Sequence, residues 1–142
     1  MNDALQVYAL CVVLLFLKML AISCYQGYLR LSVLAFHNPE DAAFFKRRAR
    51  EAERPQVIRA ARAWTNDLEN IPAFFVLGGL ALALDAPATF SAWLCVVFTL
   101  ARVLHTLTYL AGVQPWRTIC YAAALVCLLG FCAVITTQLG MG

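Results

Sequence analysis

Three stretches of the chain are almost free of charge, and a fourth begins polar and turns apolar. After Asp3 the only charge before Arg30 is Lys18, between Asn70 and Ala101 it is Asp85, and from Thr118 to Gly142 there is none. A hydrocarbon core of ~30 Å takes ~20 helical residues to cross. The runs therefore predict four spans, at about 4–33, 56–84, 88–112 and 115–138. The second starts as a polar helix near residue 56 and enters the apolar phase at about 70. Asp85, Ala86 and Pro87 form the turn between spans two and three. Gly112 and Pro115 form the next, since glycine suits the end of one helix and proline the first turn of another.

Composition strengthens this pattern. Of 142 residues, 63% are hydrophobic and 13% charged, against about 25% charged in a soluble domain. Mean hydropathy is +0.74. The expected fold is all-α, an integral-membrane four-helix bundle with one domain over residues 1–142. No cleavable signal peptide is expected: Met1-Asn2-Asp3 carries no basic residue, and the first apolar run is too long for one. Lys46, Arg47, Arg48, Arg50 and Arg54 crowd the 34–55 connection, whereas both termini and the turn at 85–87 have no Lys or Arg. The positive-inside rule places that loop in the cytoplasm and both ends outside. Acidic residues interleave with it, so it reads as a topology signal and not as a nucleic-acid patch. Within it, Asn38 caps a short helix, with Pro39 at its first position and Glu40 and Asp41 in its first turn. The six cysteines show no CxxC and no metal spacing, and are expected as small buried apolar residues.

Charged groups at membrane depth are costly and need a reason. Arg59, Arg62, Asn66 and Glu69 follow one another at helical steps of three, four and three, so they share a face. Arg102, His105 and Tyr109 repeat the three-four step on span three. Arg117 and Tyr121 lie four apart on span four, and Gln26 and Arg30 four apart on span one. All four sets fall at the cytoplasmic level, which predicts a polar pocket inside the bundle. Arg30, Arg59, Arg62, Arg102 and Arg117 would face Glu69 there, with Asp67 pointing elsewhere. The balance is positive, so the expected ligand is an anion, and Glu69 is expected to pair with some of the arginines, Arg102 among the candidates. Interhelical glue is the plainer reading of the same stripes, and snorkelling to the headgroups is the plainer reading of Arg30 and Arg117. Lys18 belongs to none of these sets; snorkelling, a cavity and an oligomer axis all remain open for it.

The same residues carry a resemblance. "RAARAWTNDLENIPAFF" (59–75), "AFHNPEDA" (35–42) and "ARVLHTLTYL" (101–110) resemble three segments of the membrane-associated proteins in eicosanoid and glutathione metabolism, the MAPEG family, and occur along the chain in the family's order. The core Arg62-Ala63-x-x-Asn66-Asp67-x-Glu69-Asn70-Ile71 is most similar to its microsomal glutathione transferase branch. The resemblance implies a homotrimer of four-helix bundles, with glutathione bound on the cytoplasmic side between neighbouring subunits. By matched position it implies Arg30, Arg62, Asn66, Glu69, His105, Tyr109 and Tyr121 as glutathione contacts, and Arg117 as the catalytic residue. Thr65 stands where the prostaglandin E synthase branch has Arg, and Thr118 where that branch has Ser. These departures favour a general transferase over a dedicated synthase.

Glutathione carries two carboxylates, an ammonium and a thiol. Guanidinium forks bind carboxylates bidentately, and a cation in the first turn of a helix favours a thiolate. Arg117 is expected in such a turn, among unpaired amides. The implied reaction is attack of the thiolate on hydrophobic electrophiles, or on lipid hydroperoxides, arriving from the bilayer, with no metal. The alternatives are a lipid-binding accessory protein, a prostaglandin- or leukotriene-synthase-like enzyme, and an anion transporter. The expected membrane is a bacterial inner membrane, with the endoplasmic reticulum as the alternative.

Overall fold

A computed structural model describes residues 3–141. Met1, Asn2 and Gly142, at the ends of the expected domain, lie outside the described residues. Five helices follow in order: α1 (Asp3–Leu31), α2 (Pro39–Phe44), α3 (Pro55–Ala83), α4 (Ala88–Ala111) and α5 (Trp116–Met141). No strand occurs among the described residues. The four long helices coincide with the expected spans to within about three residues. Three of them, α1, α4 and α5, are long and apolar enough to cross a membrane. α3 is as long as α1, but its first half carries the polar run.

Local chemistry sets the ends. Pro55 opens α3 at a position where a missing N–H costs nothing. Gly112 closes α4 in the left-handed region at φ 72°, and the Val113 N–H donates back to the Thr108 carbonyl at 2.9 Å. Asn38 precedes α2 as expected, yet its side chain makes no capping hydrogen bond. It donates instead to Asp41 Oδ2 at 3.4 Å. The 34–55 connection folds back on the end of α1: Arg30 pairs with Glu53 at 2.7 Å, Arg54 Nη1 donates to the Leu29 carbonyl at 2.5 Å, and the Arg50 N–H donates to the Phe36 carbonyl at 2.8 Å.

In cross-section the bundle is a rhombus. α3 and α4 touch across its short diagonal, and each also packs on both α1 and α5, which occupy the far corners. Phe74 of α3 and Phe98 of α4 stack at the centre, with ring centroids 4.5 Å apart and planes 7° from parallel. Phe131 of α5 meets Phe74 edge-on at 6.0 Å. Cys11, Cys95, Cys120 and Cys127 are buried, as expected, but Cys24 and Cys132 are exposed on the bundle surface, so that expectation holds for four of the six. The outer faces carry Leu10, Phe16, Leu17, Leu125, Val126 and Leu129, the surface a bilayer requires.

At Gly78 the Tyr8 side chain of α1 lies tight against the α3 backbone. A Cβ there would lie 2.8 Å from Tyr8 Cε2, and Tyr8 is tethered by its hydroxyl, which donates to the Phe75 carbonyl at 2.6 Å. Small residues at such contacts let helices pack closely in lipid. Gly78→Ala should therefore cost about 1–2 kcal/mol, read as a lower midpoint in detergent unfolding. Most of that loss should vanish in a Tyr8→Leu background.

Candidate functional site

The polar residues of the four helices separate into two systems, one buried and one open. The buried one is ionic. Asp67 of α3 and Arg102 of α4 are both fully buried and hydrogen-bonded to each other, Arg102 Nη2 to Asp67 Oδ1. Lys18 of α1 takes the other carboxylate oxygen, Nζ to Oδ2 at 2.5 Å. Arg102 Nη2 also donates to Asn66 Oδ1 at 2.8 Å. This corrects one expectation: Arg102 pairs with Asp67 and not with Glu69. Asp67 does point elsewhere than the open groove, and its direction is into the core. The physical reason is angular: Asp67 lies about 100° round the helix from Asn66, which turns it from the α3 edge toward α1 and α4.

The open system is a groove of 280 Å³ lined by Asn66, His105, Tyr109, Arg117, Thr118 and Tyr121. Three helices build it. Asn66 comes from α3, His105 and Tyr109 from successive turns of α4, and Arg117 and Tyr121 from successive turns of α5. Arg117 lies over the Tyr109 ring, its guanidinium carbon 4.8 Å from the centroid, a cation–π contact. His105 sits between the two tyrosines, 5.7 Å from Tyr109 and 6.2 Å from Tyr121 between centroids. Its Nδ1 is buried and has no partner. With the Gln114 amide oxygen turned to Arg117, it accepts from Nη2 at 2.6 Å and Nε at 3.1 Å. That orientation is required by chemistry, since a guanidinium only donates.

A second cavity, of 460 Å³, opens on the other side of Tyr109 and Arg117 and adds Arg59, Arg62, Ile58 and Gly112 to the lining. Arg59 is braced by its Nη1, which donates to the Leu110 carbonyl at 3.2 Å. A Cβ on Gly112 would come within 3.0 Å of that nitrogen. The glycine therefore both ends α4 and makes room for the arginine. Tyr109 and Arg117 belong to both linings and stand between a space edged by Tyr121 and one edged by Arg59 and Arg62.

Six of the eight expected site residues thus meet: Asn66, His105, Tyr109, Arg117 and Tyr121 in the groove, and Arg62 in the adjoining cavity. The structure does not bring Glu69 or Arg30 to either lining. Glu69 is exposed on the outer side of α3, and Arg30 is engaged with Glu53. The pocket is also not inside the bundle. It lies along an edge where α3, α4 and α5 diverge, while the interior at this level is filled by the ionic cluster. Arg117 does occupy the first turn of α5, immediately after Trp116. The amides around it are not unpaired, however. The Arg117 N–H donates to the Val113 carbonyl at 3.4 Å, and the Thr118 and Ile119 N–H groups donate to the Pro115 carbonyl at 3.0 and 3.2 Å. Any anion here would meet the guanidinium and the helix dipole, not a nest of free amides. Sequence reasoning missed Gln114, whose place just ahead of a helix start beside an arginine was the available signal.

The MAPEG family model matches residues 8–137, from the first turns of α1 almost to the end of α5. The chain belongs to the MAPEG family. Among its MAPEG relatives, prostaglandin E synthase of Macaca fascicularis is 39% identical over 125 residues, covering 87% of this chain and 82% of that one. The Homo sapiens prostaglandin E synthase is 38% identical over the same length. Microsomal glutathione S-transferase 1 of Rattus norvegicus is 33% identical over 128 residues, 84% of this chain and 81% of the relative. The similarity therefore reaches both branches of the MAPEG proteins weighed from the sequence.

Proposed function

We propose that this chain is a membrane-bound glutathione transferase, which holds glutathione beside Arg117 and adds its thiolate to hydrophobic electrophiles from the bilayer. The observation that carries this reading is the position of Arg117: first turn of α5, braced by Gln114 and the Tyr109 ring, and facing both cavities. The relative named as a microsomal glutathione S-transferase supports it. Arg59 and Arg62 suit the glutathione carboxylates, since guanidinium groups bind them as a fork. The Asn66 amide and the Tyr121 hydroxyl suit its peptide groups. The sulfur then lies by Arg117, its negative charge balanced by the guanidinium and favoured by the α5 dipole.

In conjugation, the sulfur forms a bond to an electrophilic carbon. A halide leaves in aromatic substitution, or the adjacent carbon takes a proton in conjugate addition. With a lipid hydroperoxide, the sulfur attacks the terminal oxygen and the O–O bond breaks, giving the alcohol and a glutathione sulfenic acid; a second glutathione thiol then displaces water from that sulfur to form the disulfide. The proposal includes four membrane spans with the 34–55 loop in the cytoplasm, so that the peptide enters from water and the acceptor from lipid. It also includes a homotrimer. Glu69 points out of the single chain, and a site between neighbouring copies would give it something to bind.

A second reading, a prostaglandin-synthase-like enzyme, is favoured by the identities of 39% and 38% to proteins of that name. Thr118 lines the groove and keeps the hydroxyl of the serine it replaces, so it weighs little against this reading. Thr65 in place of Arg still weighs against it. Purified protein in detergent should form thioethers from glutathione and a chloronitroaromatic acceptor. No turnover with any of a panel of hydrophobic acceptors would remove the transferase reading. Prostaglandin E made from a lipid precursor by the same preparation, without conjugation, would install the second.

A further inference from the structure

Lys18 lies on α1, the one long helix that contributes nothing to the groove, yet it is linked to a groove residue through two contacts. Lys18 Nζ holds Asp67 Oδ2. That leaves only Oδ1 for Arg102, which meets it through a single nitrogen, Nη2. The same Nη2 donates to Asn66 Oδ1 at 2.8 Å. Arg102 Nε and Nη1 are buried and have no partner at all. This is an unusual arrangement for a buried arginine beside a carboxylate, because the pair ordinarily closes a two-point fork. The occupied Oδ2 accounts for it.

We propose that Lys18 is a positioning residue for the groove: by keeping Asp67 Oδ2 occupied it denies Arg102 the forked pairing and holds its Nη2 on Asn66. Arg102 has no acceptor, so Asn66 must present its oxygen to it. The Asn66 N–H2 is then fixed as the free donor of a residue that lines the groove. Without Lys18, the Asp67 carboxylate is free to rotate and take Arg102 in a fork, recruiting one of the two idle nitrogens. The guanidinium then swings away from Asn66, and the amide loses its fixed orientation. The groove keeps its lining but loses a directed hydrogen-bond donor.

The direct test reads Asn66 without any ligand. The chain has four asparagines, so 15N-asparagine labelling in detergent gives few side-chain amide pairs, and Asn66→Ala identifies the relevant one. In Lys18→Met that pair should shift and broaden, and Lys18→Arg, which restores a cation at Oδ2, should return it toward the wild-type position. An Asn66 resonance indifferent to Lys18→Met overturns the proposal. Should Lys18→Met fail to fold, Arg102→Lys tests the Arg102–Asn66 contact through which Lys18 must act. Its single ammonium pairs with Asp67 but falls short of Asn66, so the resonance must move there too, and an unmoved one counts equally against the idea.

The second arm rests on the glutathione reading above. Lys18→Met should weaken glutathione binding roughly five- to twentyfold in the wild-type background and change it less than twofold in an Asn66→Ala background, since residues acting through one another are not additive. Additive losses would make Lys18 merely structural and overturn the proposal. If wild-type protein binds no glutathione, the functional reading falls, and the amide measurement still decides the role of Lys18.

Discussion

Asp67→Ala should leave little folded protein. Among the described residues its carboxylate is the one anion that meets both the fully buried Arg102 and the partly buried Lys18, and those three residues tie α1, α3 and α4 together. Removing it strands the fully buried Arg102 guanidinium, and leaves the partly buried Lys18 ammonium without its counter-ion. Breaking a buried pair by deleting one partner costs about 3–5 kcal/mol, and here one deletion unpairs two cations. The whole stability of a domain of this size is on the order of 5–15 kcal/mol. The expected result is a sharp fall in extractable protein and an unfolding transition in mild detergent at a much lower denaturant concentration. Asp67→Asn, which keeps the shape and one acceptor, should lie between Ala and wild type. Replacing Glu69, exposed on the outer face of α3, by Ala should cost a monomer almost nothing by the same measure. If Asp67→Ala unfolds at the wild-type midpoint, the ionic cluster does not hold the helices.

Arg117→Ala should separate binding from chemistry. Arg59 and Arg62 remain in the adjoining cavity, so glutathione affinity should fall only a few-fold. Its thiolate should nearly disappear. A free thiol titrates near about 8.5, and bringing it to about 7 takes roughly 2 kcal/mol. With the first-turn amides already bonded to the Val113 and Pro115 carbonyls, the guanidinium must supply most of this. Turnover at pH 7 should fall roughly fifteenfold, in step with the loss of the thiolate's ultraviolet absorbance. The sign with pH is fixed by the same logic. The wild-type rate should level off above about pH 7, whereas the variant rate should rise nearly tenfold per pH unit until it approaches the free thiol's range. Near-wild-type turnover in Arg117→Ala would show that another group stabilises the thiolate.

The helices were legible because bilayer-length apolar runs leave little choice, and the punctuation at Pro55, Asp85 and Gly112 is chemical. The groove was legible in part for a similar reason. Steps of three and four put His105 above Tyr109 and Arg117 above Tyr121, and two such pairs on adjacent helices have few ways to miss each other. The failures share one cause. Periodicity says which residues of a helix share a face, but not which neighbour that face meets. Glu69 shares a stripe with Asn66, yet the stripe is wide enough for Asn66 to reach the groove while Glu69 stays outside. Asp67 breaks the stripe, and that departure is what carries it into the core. Arg30 has the spacing of a membrane residue, although its partner, Glu53, belongs to the folded-back connection.

The ionic cluster also bears on how the protein is built. Lys18, Asp67 and Arg102 all precede α5, and from Thr118 onward the chain carries no charge. During synthesis the charged lock between α1, α3 and α4 can therefore close while the last helix is still leaving the ribosome. That helix then docks largely by apolar packing, with Arg117 settling over the Tyr109 ring, and brings Thr118 and Tyr121 with it. A nascent chain would have its skeleton latched before its reactive edge exists.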